Sequence, residues 1–250
     1  SIIIDALAYN TYITSYNTNM AANECFLDSS TLRENVVSLA RNIGYVPRSR
    51  RSSRARISFN ISEITETVTA TVRAGIICNG SAANTSYIFS IPEDITVPVV
   101  DGVAVFDNIE IYEGTLINQN FTVNTSQFNQ RYILSNSFID TSTIRVKVKP
   151  DESSSSTVTY QQIDNIVGVT STSSSYLLQE IEDERYELIF GDNVIGKKLS
   201  NNNYITVSYI ITSGKDGNGA SEFSFIGNII DQDGATIDAS NFSLVTTEES

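Results

Sequence analysis

From Arg54 onward, apolar and polar residues alternate. Ala55, Ile57, Phe59 and Ile61 interleave with Arg54, Arg56, Ser58, Asn60 and Ser62, the period of two that turns one strand face to a core and the other to water. The pattern recurs at Val68-Ala70-Val72, Tyr87-Phe89-Ile91, Ile95-Val97, Val103-Val105, Ile109-Ile111, Phe121-Val123 and Ile144-Val146-Val148. Asn79-Gly80, Pro92, Asp101-Gly102 and Glu113-Gly114 read as turns between these runs. Short strands separated by tight turns predict antiparallel β-sheet of the sandwich type.

Ahead of Arg54 the period is helical. Leu32, Val36, Leu39, Ala40 and Ile43 share one face, with Arg33, Asn35 and Arg41 opposite. Thr31 and Glu34 have the spacing of a capping box, and Gly44 followed by Pro47 predicts the stop. An earlier helix is expected from about Ile2 to Asn17. It carries Ile3, Leu7 and Tyr9 among many Asn and Thr, too polar all round to stand alone, so it is expected to lean on something else.

These patterns predict a mainly β (α+β) chain: a helical lead-in and interface segment over 1–47, a first antiparallel β domain over 48–150, and a second over 151–250. The last boundary follows Lys149-Pro150 and the polar stretch Asp151 to Ser156, and strands resume at Thr157-Val158-Thr159-Tyr160. The first residue is Ser1 and the only methionine is Met20, which reads as a fragment of a longer chain or a processed product.

Composition narrows the chemistry. The 250 residues are 40% apolar and 18% charged, sufficient for a sizeable core. No run approaches ~18 consecutive apolar residues, so neither a membrane span nor a signal peptide is expected. Histidine is absent, which removes Ser-His-Asp and Cys-His nucleophile pairs and the histidine ligand sets of zinc enzymes. A formal charge of −13 argues against a nucleic-acid partner, because phosphate binding requires a basic surface. Cys25 and Cys78 show no metal-type spacing and predict two buried, reduced thiols.

Three motifs fail on inspection. Gly191, four residues, then Gly196-Lys197 has P-loop spacing, but Lys198 occupies the hydroxyl position and the run Tyr204 to Tyr209 that follows is a strand, not a helix. The carboxylates from Glu180 to Glu184 sit on one continuous segment and read as a solvated face or acidic hairpin, not as the facing pair of a glycosidase. Asp216 to Gly219 and Asp231 to Gly234 resemble parts of calcium loops, yet around the first Gly214 and Phe225 stand where ligands are required, and in the second the glycine arrives too early for the same loop. No catalytic residue, metal ligand or cofactor is expected, and the chain is not read as an enzyme. Arg48, Arg50, Arg51, Arg54 and Arg56 form the only basic cluster, expected to dock onto an acidic partner surface.

Several segments, taken in order, resemble a known family. They are Ala21 to Asp28, Leu32-Arg33, Val36 to Ala40, Ile43 to Pro47, Ile111 to Gly114, Ile139 to Val146, Tyr186 to Asp192 with Gly196, Ile205 to Tyr209, and Gly214 with Gly217-Asn218. Together they are similar to the baseplate wedge proteins of T4-like contractile-tailed phages, relatives of the baseplate J family. This sequence departs from the pattern at Asn193, and at Asn202 or Asn203, where glycine is expected.

The resemblance implies a structural protein of the virion that pairs with a second copy of itself and with another wedge protein. Neighbouring wedges would join in a ring around the tail hub, and the ring would widen on contraction. Assembly in the host cytoplasm, with neither nucleic acid nor membrane as partner, completes the expectation. Candidate interface residues are Ile3, Leu7, Arg33, Arg41, Arg48, Arg50, Arg51 and Arg54. Gly191, Asp192 and Gly196 are expected to build a structural turn, with Phe190 packed inward and Asp192 bonding local backbone N–H groups. The rival expectation is a β-sandwich receptor- or carbohydrate-binding module of a fibre or adhesin, using some of the twelve tyrosines.

Overall fold

The structure, a computed structural model, describes residues 2–42, 49–65, 67–82, 85–163, 167–237 and 242–248. Two helices lead, α1 (Ile2–Glu24) and α2 (Arg33–Asn42). Strands follow: β1 (Arg54–Ile61), β2 (Thr69–Val72), β3 (Gly75–Ala82), β4 (Thr85–Ile91), β5 (Ile95–Val100) and β6 (Val103–Glu113). Next come β7 (Thr115–Thr122), β8 (Tyr132–Ile133), β9 (Ile139–Lys149), β10 (Val158–Gln162), β11 (Ser175–Glu180) and β12 (Tyr186–Phe190). β13 (Tyr204–Ile211), β14 (Ser221–Phe225), β15 (Ile229–Ile230) and β16 (Phe242–Glu248) complete the chain. It is mainly β with an N-terminal helical segment. The helices, together with Glu180–Asp183, form one compact unit, and Ser49–Gln179 with Glu184–Ser250 forms the other.

The second unit contains two largely antiparallel sheets. One runs β14-β3-β4-β6-β5-β2-β15, with β1 laid between β6 and β16. The other runs β7-β13-β9-β10-β11-β12-β8 and curls nearly into a barrel. A short contact between β10 and β11 is parallel. Strands from both sides of residue 150 enter each sheet: β7 to β9 join the barrel-like sheet, and β14 to β16 return to the first.

Each sheet has its own core. Ala55, Ile57, Phe59 and Ile61 on β1 are buried as their alternation predicts, and Phe59 stacks on Phe106 with centroids 4.8 Å apart. In the second sheet, β13 lies between β7 and β9 over its whole length. Its Ile205, Val207 and Tyr209 are fully buried beside Val146, Leu134 and Tyr176.

Asn79-Gly80 is not a turn. Both residues lie inside β3, and a Cβ at position 80 would come within 2.7 Å of Phe223 and 2.9 Å of Phe89. Gly80 stands where the edge-to-face pair Phe89–Phe223, 5.1 Å between centroids, needs the space. The two runs Val103-Val105 and Ile109-Ile111 are one strand, β6. It carries Asn108 at φ 54, and its pairing with β1 shifts register between Ile57 and Phe59, a bulge that local alternation reads as a break.

In the helical unit, α1 extends seven residues beyond Asn17, through Met20-Ala21-Ala22, which favour helix. None of its residues is buried. The start of α2 is capped from outside the helix. Glu24 accepts hydrogen bonds from the N–H groups of Thr31 and Leu32, the hydroxyls of Ser30 and Thr31, and the Asn35 amide. Thr31, expected to open a capping box, donates its hydroxyl to Glu24; the Glu34 side chain, Ile43, Gly44 and Pro47 lie outside the described part.

Two further expectations change. Cys25 is exposed, not buried, while Cys78 is buried and its thiol is pushed up to about 12 by desolvation. Glu180 is not on a solvated face: its side chain is 6% exposed and accepts a hydrogen bond from Arg33 at 2.9 Å, whose positive charge offsets the loss of water.

Candidate interaction surfaces

The segment preceding β1 builds a rigid platform from its serines. Ser52 N–H donates to buried Asp140 at 2.9 Å, and the Ser49 hydroxyl lies 2.7 Å from that of Thr141. The Ser53 hydroxyl contacts the Gly214 carbonyl and Asn218, while its own carbonyl accepts from Glu113 N–H. Glu113, 4% exposed, accepts from the Thr212 hydroxyl and Ser213 N–H. The Asp140 and Glu113 carboxylates can be enclosed here because each accepts hydrogen bonds from neighbouring groups, whereas the Ser52 hydroxyl is enclosed without a partner among the described residues.

Held by that platform, the arginines behave differently from one another. Arg50 places its guanidinium 4.1 Å above the Phe138 ring and makes no hydrogen bond or ion pair among the described residues. Ile88, Phe138, Ile211 and Asp216 line the cleft beside it. Arg54 is engaged within the chain: it donates to Ser142, lies over the Tyr112 ring and faces Glu110 at 3.7 Å. Arg51 is exposed. Arg48 and the side chain of Arg41 lie outside the described residues, and Arg33 belongs to the helical unit, bonded to Glu180.

Ile3 and Leu7 are exposed on α1, at 72% and 60%. Beside them runs a second set, exposed except for the half-buried Ile13, whose heptad spacing the sequence reading did not draw although it named Tyr9. Ile2, Tyr9 and Tyr16 repeat every seven residues, and Ala6, Ile13 and Met20 follow each at the four-residue offset. That is a 4-3 seam along one side of the helix. The signal was legible as a heptad, but tyrosine and small polar neighbours masked it.

Gly191, Asp192 and Gly196 do meet in one turn. The Asp192 carboxylate accepts from Val194 and Ile195 N–H at 2.9 and 3.0 Å. Those two bonds hold its pKa below the usual carboxylate range, with Ile195 contributing most. A Cβ on Gly191 would fall inside the Gly196 backbone, and Asn193 N–H donates to the Gly196 carbonyl. Phe190 packs edge-on against Tyr132 and Tyr160. Asn193 and Asn202 adopt left-handed backbone, φ 73 and 67, the conformation asparagine tolerates where glycine is otherwise preferred.

No family model matches the sequence. Over 243 residues it is 26% identical to the baseplate wedge protein gp6 of Enterobacteria phage T4, an alignment covering 90% of this chain and 36% of that protein. The chain is a distant relative of a phage baseplate protein. It spans little more than a third of that relative's length. Segments far apart in sequence that carry the family resemblance converge in space: Glu113 from β6, Asp140 from β9 and Gly214 after β13 all bond the 49–53 platform.

Proposed function

We infer that the chain is part of a structural subunit of the baseplate wedge of a contractile-tailed bacteriophage. Its role is architectural: it would pair with a second copy and with another wedge protein, help build the ring around the tail hub, and move with that ring on contraction. Assembly in the host cytoplasm and residence in the virion tail follow from that reading.

The observation that carries it is α1 together with the distant match. A helix of 23 residues with no buried residue gains little from tertiary packing inside this chain, although packing of a helix face is what supplies most helical stability in proteins. Its exposed seam of Ile, Tyr and Met supplies what an intersubunit helix contact requires. The arginines Arg50 and Arg51, on a chain of net charge −13, offer a second contact to acidic surface.

Electron microscopy of lysates from producing cells, with gold-labelled antibody against this chain, tests the reading. Label at the plate where tail meets fibres is expected. Label along fibres, on cell surfaces, or nowhere on particles would overturn it.

A further inference from the structure

A polar cleft of about 430 Å³ opens on the second unit, within the volume range of small-molecule sites. Three adjacent strands of the barrel-like sheet supply its wall: Arg145 from β9, Thr159 and Gln161 from β10, and Tyr176 from β11. Glu93, from the turn after β4, completes it.

The polar groups of this cleft are only partly used. Arg145 donates through Nε to Glu93 at 3.1 Å and through Nη1 to the carbonyls of Ser142 and Ile144, and its Nη2 has no partner among the described residues. Tyr176 is 2% exposed, yet its hydroxyl makes no hydrogen bond with any described residue. That hydroxyl is also absent from the fully enclosed unpaired atoms, which include Ser52 Oγ, so it reaches the cleft. The Gln161 amide and Thr159 hydroxyl are likewise uncommitted among the described residues. Burial pushes the Tyr176 phenol up to about 12, which keeps it a donor at neutral pH.

Charge selects the ligand class. Glu93 and Arg145 neutralise one another, and the other uncommitted groups are hydroxyl and amide, each able to donate and accept. An anion would meet a guanidinium whose charge Glu93 already offsets, and a cation a carboxylate whose charge Arg145 already offsets. A neutral polyhydroxylated molecule meets complementary groups on every side, because each of its hydroxyls also donates and accepts. We propose that the Tyr176–Gln161–Arg145 cleft is a binding subsite for a neutral saccharide. The tyrosine rings are not free as stacking platforms, since Tyr160 and Tyr176 pack on Phe190; recognition here is by hydrogen bonds. The inference does not depend on the wedge reading.

The test is saturation-transfer NMR on the full chain with glucose, galactose, mannose and N-acetylglucosamine as probes and glucuronate as the charged comparison. At least one neutral sugar is expected to show transfer. Tyr176→Phe, which removes one hydroxyl, and Gln161→Ala, on an exposed position, should each weaken that sugar about fivefold, one hydrogen bond's worth, with circular dichroism unchanged. If Tyr176→Phe fails to fold, Gln161→Ala alone decides. Absence of transfer from every neutral sugar, transfer that both variants leave intact, or tighter binding of glucuronate would overturn the proposal. Ordered water filling the same groups corresponds to the first of these outcomes.

Discussion

Gln119 on β7, bonded by the Tyr209 hydroxyl from the neighbouring β13, links the two end strands of the barrel-like sheet. The Tyr209 hydroxyl lies 3.1 Å from Gln119 Oε1 and 2.7 Å from Asn136 Oδ1. Gln119 Nε2 donates to the Ile133 carbonyl at 3.0 Å, and its Oε1 accepts from Ser135 N–H. β7 and β8 are the two ends of the strand order, so a side-chain amide does at this seam what a backbone ladder does elsewhere. An edge that would otherwise expose unpaired N–H and C=O groups is thereby blunted.

Gln119→Ala should cost about 3 kcal/mol, three net hydrogen bonds at ~1 kcal/mol each. Tyr209→Phe, which removes one donor, should cost about a third of that. Denaturant unfolding monitored by fluorescence reads both, and the pair should be non-additive because they share an oxygen.

Gly80→Ala should destabilise by about 1–3 kcal/mol, the range for overpacking, since the new methyl meets the Phe89 and Phe223 rings. Combining it with Phe223→Leu should recover part of that loss. An unchanged midpoint in Gly80→Ala would refute the close approach.

Glu24 sets an acid dependence in the helical unit. Its carboxylate is held well below its usual 4.5, first by the Asn35 amide and then by Thr31 N–H and the Ser30 and Thr31 hydroxyls. A depressed folded-state pKa means the contribution is complete above pH 4.5 and falls progressively as pH drops below it. Far-ultraviolet circular dichroism from about pH 6 to about pH 3 should lose helix signal, and Glu24→Gln should flatten that dependence.

Tyr9→Ser with Ile13→Ser should leave the thermal midpoint of the β unit unmoved, because no α1 residue is buried. The same variant should fail to enter baseplates in complementation. Incorporation at the normal level would remove the α1 seam from the interface.

Arg50→Glu with Arg51→Glu should also abolish incorporation. The cost in stability should stay near 0.5–1 kcal/mol, the size of an exposed cation–π contact such as Arg50–Phe138. Assembly that proceeds normally would discard the arginine platform as a docking surface.

Much of the fold is legible in the residue pattern because burial imposes a period. Ala55, Ile57, Phe59 and Ile61 alternate in sequence and point to one core in space. The turn at Gly191-Asp192 is equally local, since an Asx turn needs only its own few residues, whereas on α2 the buried residues are Val37 and Ala40 while Leu32, expected on the apolar face, is 52% exposed. What tertiary structure alone decided is everything that depends on a distant neighbour. Gly80 reads as a turn until Phe89 and Phe223 occupy the space beside it. Glu24 caps a helix it does not belong to, and Glu180 is buried against Arg33, 147 residues away in sequence. The Tyr176 cleft exists only where β9, β10 and β11 lie side by side. Periodicity records which face of an element avoids water, whereas the partner that satisfies a polar group is set by how distant strands pack together.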